Sequence, residues 1–190
     1  MPDRLHGFDA VHRMTLKCRN IKINVTLEKA VDFHLLNQKH VELKEKKTSF
    51  TLRPLYSDYV ITIYKHSPKS LHITGIKSSS MVTEIFEFLA NVLNMKVSSS
   101  KINNSMFCGK LCQNVDLSKV IQQIERNFSC YSCSFIEEIF PALFIKPSQR
   151  QKKSGSPTTI LFPNGSFIIM GGTDIGRVKL AHMFITTMAK

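Results

Sequence analysis

Residues 59–77 read YVITIYKHSPKSLHITGIK, and residues 158–173 read TTILFPNGSFIIMGGT. Each stretch is two runs of β-branched and aromatic residues around a turn. The turn is His66-Ser67-Pro68-Lys69 in the first and Pro163-Asn164-Gly165 in the second. Branched and flat side chains pack well on a pleated surface, and Asn-Gly tolerates the backbone of a tight hairpin. Both stretches are therefore expected to be β-hairpins, ended by Gly75 and by Gly171-Gly172.

The flanks repeat as well. Met81, Ile85, Phe88, Leu89 and Val92 share one face of a helix over 81–93, with Glu84 and Glu87 opposite. Thr173 or Asp174 is expected to cap a last helix carrying Val178, Ala181, His182, Phe184 and Ile185. Upstream, alternation predicts a strand over 15–26, helical spacing a helix over 27–37, a charged turn over 38–47 and a strand over 49–53. The second half mirrors this: a strand over 101–111, a helix over 115–124 with Asn114 as cap, a strand over 135–145 ending at Pro147, and a polar loop over 148–156. A period near 90 residues is too long for a solenoid and points to a duplicated unit. The expected fold is α+β: one antiparallel sheet shared by two units, helices on one face, the other face open.

The chain has 190 residues and a net charge of +12. Cut after Lys96, the first part holds 15 basic and 9 acidic residues and the rest 11 and 5, so each carries +6. A basic surface suits nucleic acid or another polyanion, against solubility alone. At 43% apolar, with thirteen Phe, the chain can bury a core. No apolar run reaches the roughly 18–20 residues of a membrane span, and no apolar stretch follows Met1–His6, so neither a membrane nor an export signal is expected. Five cysteines, an odd count, suggest reduced thiols.

From about Leu16 to Lys190 the order of these motifs resembles the TATA-box-binding protein family. Arg19-Asn20-Ile21 and Lys101-Ile102-Asn103-Asn104 stand where the family opens its two repeats. Glu138-Ile139-Phe140-Pro141-Ala142-Leu143-Phe144 is similar to the family's Glu-Leu-Phe-Pro-Gly-Leu-Ile, and the two hairpins resemble its duplicated hairpin in degenerate form. The resemblance implies a TBP-like saddle: an N-terminal tail over 1–14, repeat 1 over 15–97 and repeat 2 over 98–190. These would form one curved antiparallel sheet with helices on the convex face. It further implies a transcription initiation factor that binds and bends promoter DNA through the minor groove, aromatic side chains wedging between base steps. A kink of about 80° is the family's property, not a reading of this sequence.

Carried over by position, the resemblance implies wedge pairs Phe50 with Tyr64 and Phe140 with Phe162. Asn20 and Asn104 would donate to acceptors on the floor of the groove. Thr74 and Ile168 match concave-face positions, and Lys146 lies near a phosphate-contacting arginine. The departures are Lys22, His72, Met106 and Met170, which stand at concave-face positions usually apolar or small in the family and are counted with the DNA-binding set. Glu137, Glu138 and Ile139 keep part of the character of the loop that receives transcription factor IIB. The implied partners are A·T-rich double-stranded DNA, a transcription factor IIB-like protein and RNA polymerase. The implied location is the nucleus, or a cytoplasmic viral transcription site.

The competing reading is a protein-interaction module of the same fold that has lost DNA bending, motivated by Lys22, His72 and Met170. Cys108, Cys112, Cys130 and Cys133 form C-x3-C…C-x2-C, readable as a zinc site or as ordinary buried thiols. The run Lys146–Lys153 is a nuclear-localisation-like or phosphate-binding stretch, or a solvated loop. No P-loop, G-x-G-x-x-G or nucleophile–base signature occurs. Neither a cofactor nor an enzymatic activity is expected.

Overall fold

The computed structural model describes residues 16–33, 41–136, 139–149 and 155–189. The architecture is α+β: the described residues form antiparallel strands and three α-helices with full bounds. The chain divides into two compact units. One spans Arg19–Asn103, and the other spans Asn104–Lys190 together with the residues up to Cys18.

The Arg19–Asn103 unit contains β1 (Lys17–Leu27), β2 (Val41–Glu45), β3 (Ser49–Pro54), β4 (Val60–Tyr64), β5 (Ser70–Ile76) and α1 (Ser79–Glu87), which continues as a π-helical turn over Phe88–Val92. β6 (Val97–Lys110) leads into the second unit, followed by α2 (Leu117–Asn127), β7 (Tyr131–Ile136), β8 (Phe140–Pro147), β9 (Thr158–Leu161), β10 (Ser166–Met170) and α3 (Ile175–Met188). Strand order is β2-β3-β4-β5-β1 in the first unit and, from its outer edge, β7-β8-β9-β10-β6 in the second. Both units thus place their first strand beside their last and run an antiparallel meander outward.

Burial follows the two-residue period of strands. Ile21, Ile23 and Val25 are buried on β1, Ile61 and Ile63 on β4, Leu71 and Ile73 on β5. Phe107, Leu143, Ile145, Phe167 and Ile169 do the same in the second unit. These residues face the helices, as the contact between the Phe167 and His182 rings at 5.5 Å marks for α3. Side-chain oxygens cap all three helices: Ser78 accepts the Met81 N–H, Asp116 the Lys119 N–H and Asp174 the Arg177 N–H. Asp116, not Asn114, therefore starts α2.

The helix expected over 27–37 does not form in its described part. Leu27 ends β1, and the backbone N–H groups of Leu27, Glu28 and Val31 donate to the carbonyls of Lys69, Lys96 and Pro68. Residues 34–37 lie outside the described residues. The expected turn over 38–47 contains β2, and β7 supplies a strand before β8, so among the described residues each unit has five strands where four were expected.

His182 is buried and, among the described residues, its Nδ1 has no hydrogen-bond partner. Burial pushes its pKa below the ordinary histidine value. His72 shifts the same way, first from burial and then from the charge on Lys22. The unfolded chain accepts these protons near pH 6.5, whereas the folded chain accepts them only at lower pH. Stability is then complete above about pH 6.5 and is lost as pH falls below it. His182→Phe is expected to flatten the dependence of Tm on pH between about pH 5 and 7; an unchanged slope would contradict this.

Candidate nucleic-acid interface

In each unit, the strand face turned away from the helices is the candidate surface. In the Asn104–Lys190 unit, alternation and register place Asn104, Met106 and Cys108 of β6 there. Ile168 and Met170 of β10, Ile160 of β9, and Phe144 and Lys146 of β8 share that face. Phe162, one residue past β9, joins them. Its ring lies 5.7 Å from that of Phe140, edge to face, and Phe140 lies 5.7 Å from Phe144. Phe140 is 41% exposed, and Lys146 Nζ stands 5.6 Å over the Phe144 ring. The sequence-expected pair Phe140 and Phe162 is thus brought together, with Phe144 as a third ring. The alternation 140, 142, 144 along β8 could have found Phe144. Among the described residues this face holds no Asp or Glu.

In the Arg19–Asn103 unit, Asn20, Lys22 and Asn24 of β1, His72 and Thr74 of β5, and Thr62 and Tyr64 of β4 lie on the open face. The Tyr64 ring meets His72 edge-on at 5.1 Å and His66 at 5.5 Å. Phe50 does not join Tyr64. It pairs with buried Ile63 on β4, which sets it on the opposite face. There it stacks on Phe33 at 4.2 Å, with Lys65 Nζ 4.9 Å over its ring. The residue opposite Tyr64 is Ser49. A strand flips every side chain when its parity shifts by one, and that shift separates Phe50 from the assigned role.

Asn20 and Asn104 are held in the same way. Asn20 Oδ1 accepts the Gly75 N–H at 2.8 Å, and Asn104 Oδ1 accepts the Gly171 N–H at 3.0 Å. A backbone N–H can be accepted only by the amide oxygen, so each bond fixes which way the amide points and leaves its Nδ2 hydrogens to donate elsewhere. Both glycines adopt positive φ, +89° and +85°. Gly75 lies in a bulge where two residues of β5, Thr74 and Gly75, oppose Lys22 of β1.

Glu137 and Glu138 lie outside the described residues; Ile139 beside them is 79% exposed. The four cysteines of the spaced pattern do not converge. Cys108 lies on the open face through its pairing with Ile168, and Cys133 pairs with buried Ile145 on the helix side. Burial, with a smaller contribution from Glu125, raises the Cys133 thiol pKa, which disfavours the thiolate a zinc ion needs. No group of metal-ligating side chains occurs among the described residues.

No family model matches the chain, and no curated protein matches it in sequence. Among solved structures, the TBP of Methanococcus jannaschii matches with a TM-score of 0.66 at 16% identity, covering 92% of this chain and 97% of that one. The chain has a TBP-like fold. A match to a structure of A. aeolicus tRNASec in complex with M. kandleri SerRS, at a TM-score of 0.40, 12% identity and 93% of this chain against 30% of that one, is too weak to carry an argument. At 16% identity the TBP likeness speaks for the fold, and function has to come from the site. Among the described residues, no helix is long and apolar enough to cross a membrane.

Proposed function

We propose that this chain is a TBP-like transcription initiation factor. Its two repeats, 15–97 and 98–190, form one saddle whose open faces bind and bend A·T-rich promoter DNA through the minor groove. The observation that carries this reading is the cluster of Phe140, Phe144 and Phe162 beside Lys146, on a helix-free sheet face without a described carboxylate. One exposed and two half-buried rings with a cation beside them suit unstacked bases next to a phosphate. Met106, Ile168 and Met170 supply apolar contact with the groove. Asn20 and Asn104, each anchored by its oxygen, direct amide hydrogens to the acceptors that every A·T pair presents there. Tyr64 stands as the single wedge of the other unit, with Lys22, His72 and Thr74 around it. Phe50 has no part in this reading.

The exposed Ile139, beside Glu137 and Glu138, is the proposed contact for a transcription factor IIB-like partner, with RNA polymerase recruited through it. Nuclear or viral transcription sites are the proposed locations. A second reading, a protein-interaction module without DNA bending, is favoured by Leu180 and Met183, 60% and 55% exposed and one turn apart on α3.

The test is anisotropy titration of an A·T-rich duplex at several salt concentrations. Affinity should fall linearly in log–log form as phosphate contacts release counterions. Lys146→Ala should weaken binding and lower that slope by about one. A slope near zero, or one unaltered by Lys146→Ala, would count against this face as the DNA surface.

A further inference from the structure

The two units end in outer strands of opposite character. β2, at the outer edge of the Arg19–Asn103 unit, carries Glu42, Lys44 and Glu45. Charges on an edge discourage pairing with another chain. β7, at the outer edge of the Asn104–Lys190 unit, has neither a charged residue nor a proline. Among the described residues no strand lies on its far side. Its register shows where its backbone groups point. The Ser148 N–H donates to the Cys130 carbonyl, which makes Tyr131 and Pro147 a pair without bonds between them. Ser132 and Ser134 therefore bond to β8, whereas the N–H and C=O of Cys133 point away from it, to the open rim. The irregularity after Ser134 lies on β8, where residues 141–143 oppose Phe135, so β7 keeps its own alternation. Tyr131, Cys133 and Phe135 thus share the helix side and are each half-buried. The Tyr131 ring stacks on Phe184 of α3 at 4.9 Å.

We propose that β7 pairs with β7 of a second copy of this chain, about a two-fold axis that passes through Cys133 normal to the sheet. The strand reads Tyr131-Ser132-Cys133-Ser134-Phe135, which is aromatic–Ser–Cys–Ser–aromatic in either direction. Identical strands related by such an axis are antiparallel by symmetry, so the palindrome meets a second copy like to like. At the centre the two Cys133 residues exchange both backbone bonds. Each Tyr131 falls opposite the partner's Phe135, a favourable cross-strand pair, and each Ser132 falls opposite the partner's Ser134, where the hydroxyls bond. Charge complements this direction. Lys146 stands beside Ser132 and Arg177 acts on the Tyr131 hydroxyl, so the start of the strand is basic. Glu137 and Glu138 follow its end in sequence, and antiparallel pairing turns the acidic end of each strand towards the basic start of the other. The pairing runs along the rim and leaves the open face uncovered, so it is independent of DNA binding.

Sedimentation equilibrium of the full chain tests this, in about 0.3 M salt to screen the net charge of +12 on each copy. It should show a dimer with a dissociation constant on the order of 10–100 µM, as suits a small interface. Ser132→Lys with Ser134→Lys sets like charges opposite each other twice across the axis and should weaken the dimer by about tenfold or more. Ser132→Lys with Ser134→Glu sets Lys against Glu in the same two places and should leave the dimer as strong as in the unaltered chain. In the unaltered chain a short bis-maleimide, which adds one thiol to each of its two double bonds, should link Cys133 to Cys133 of the partner subunit, as read by mass spectrometry of the linked peptides. Should the lysine variant fail to fold, this cross-link decides. A chain still monomeric at about 0.5 mM, a dimer indifferent to the two lysines, or one that the Lys–Glu variant dissociates equally would overturn the inference. So would a cross-linked dimer whose linked peptides lack Cys133.

Discussion

Phe140→Ala combined with Phe162→Ala is expected to abolish bending of an A·T-rich duplex while weakening its binding by only about tenfold. The reason is a near cancellation. Unstacking a base step costs a few kcal/mol, and stacking a ring on the freed base returns about 1–3 kcal/mol. On the proposed function the wedges would therefore fix the shape of the complex more than its affinity, which would come chiefly from phosphate contacts. The two ring centroids lie 5.7 Å apart, so the rings would act as one wedge, and removing both is the informative change. Tyr64→Ala should reduce the bend by less, because Tyr64 stands opposite Ser49 and Phe50 faces the helix side. Energy transfer between duplex ends and anisotropy measure the two effects separately. A retained bend in the double variant would remove the wedge assignment.

The second large effect concerns Gly75. At φ +89° a Cβ would lie 2.7 Å from the Asp58 carbonyl oxygen and 3.0 Å from the Tyr59 Cα, both backbone atoms that cannot step aside. Gly75→Ala combines a left-handed backbone with this clash and should cost about 3 kcal/mol or more. Gly171 has nearly the same φ, +85°, but nothing within 4 Å of its Cβ position. Gly171→Ala should cost only about 1–2 kcal/mol, the conformational part alone. Urea unfolding of the two variants measures the difference; equal losses would contradict the steric account. Gly75→Ala should also disturb Asn20, whose amide is oriented by the Gly75 N–H.

Much of this could be read from residues alone, and the failures have physical causes. The hairpins of β4–β5 and β9–β10 and the capped helix after Asp174 follow from β-branched runs, turn residues and a capping carboxylate. The TBP-like fold was likewise visible in motif order and spacing, even at 16% identity. The expected helix after β1 misled because Leu27, Ala30, Val31 and Leu35 have helical spacing. Val31 is instead buried in an irregular segment whose backbone bonds go to Lys69, Pro68 and Lys96. β2 was hidden by its charges, Glu42, Lys44 and Glu45, which suit an edge strand as well as a turn.

At the candidate interface, residue types near the turns were legible, but face assignment depended on register. Phe140 and Phe162 fell on the same side; Phe50 fell on the wrong one, and Phe144 was passed over. The anchoring of Asn20 and Asn104 by glycine N–H groups 55 and 67 residues away has no local sequence signal.

The open faces are expected to bind a duplex in its minor groove and bend it. The most direct test is energy transfer across an end-labelled A·T-rich duplex titrated with the protein at low salt. A saturable rise in transfer, reporting a sharp bend, is expected, and it should fade as salt is raised. Saturable binding without any change in transfer, or no binding at low salt, would contradict this expectation.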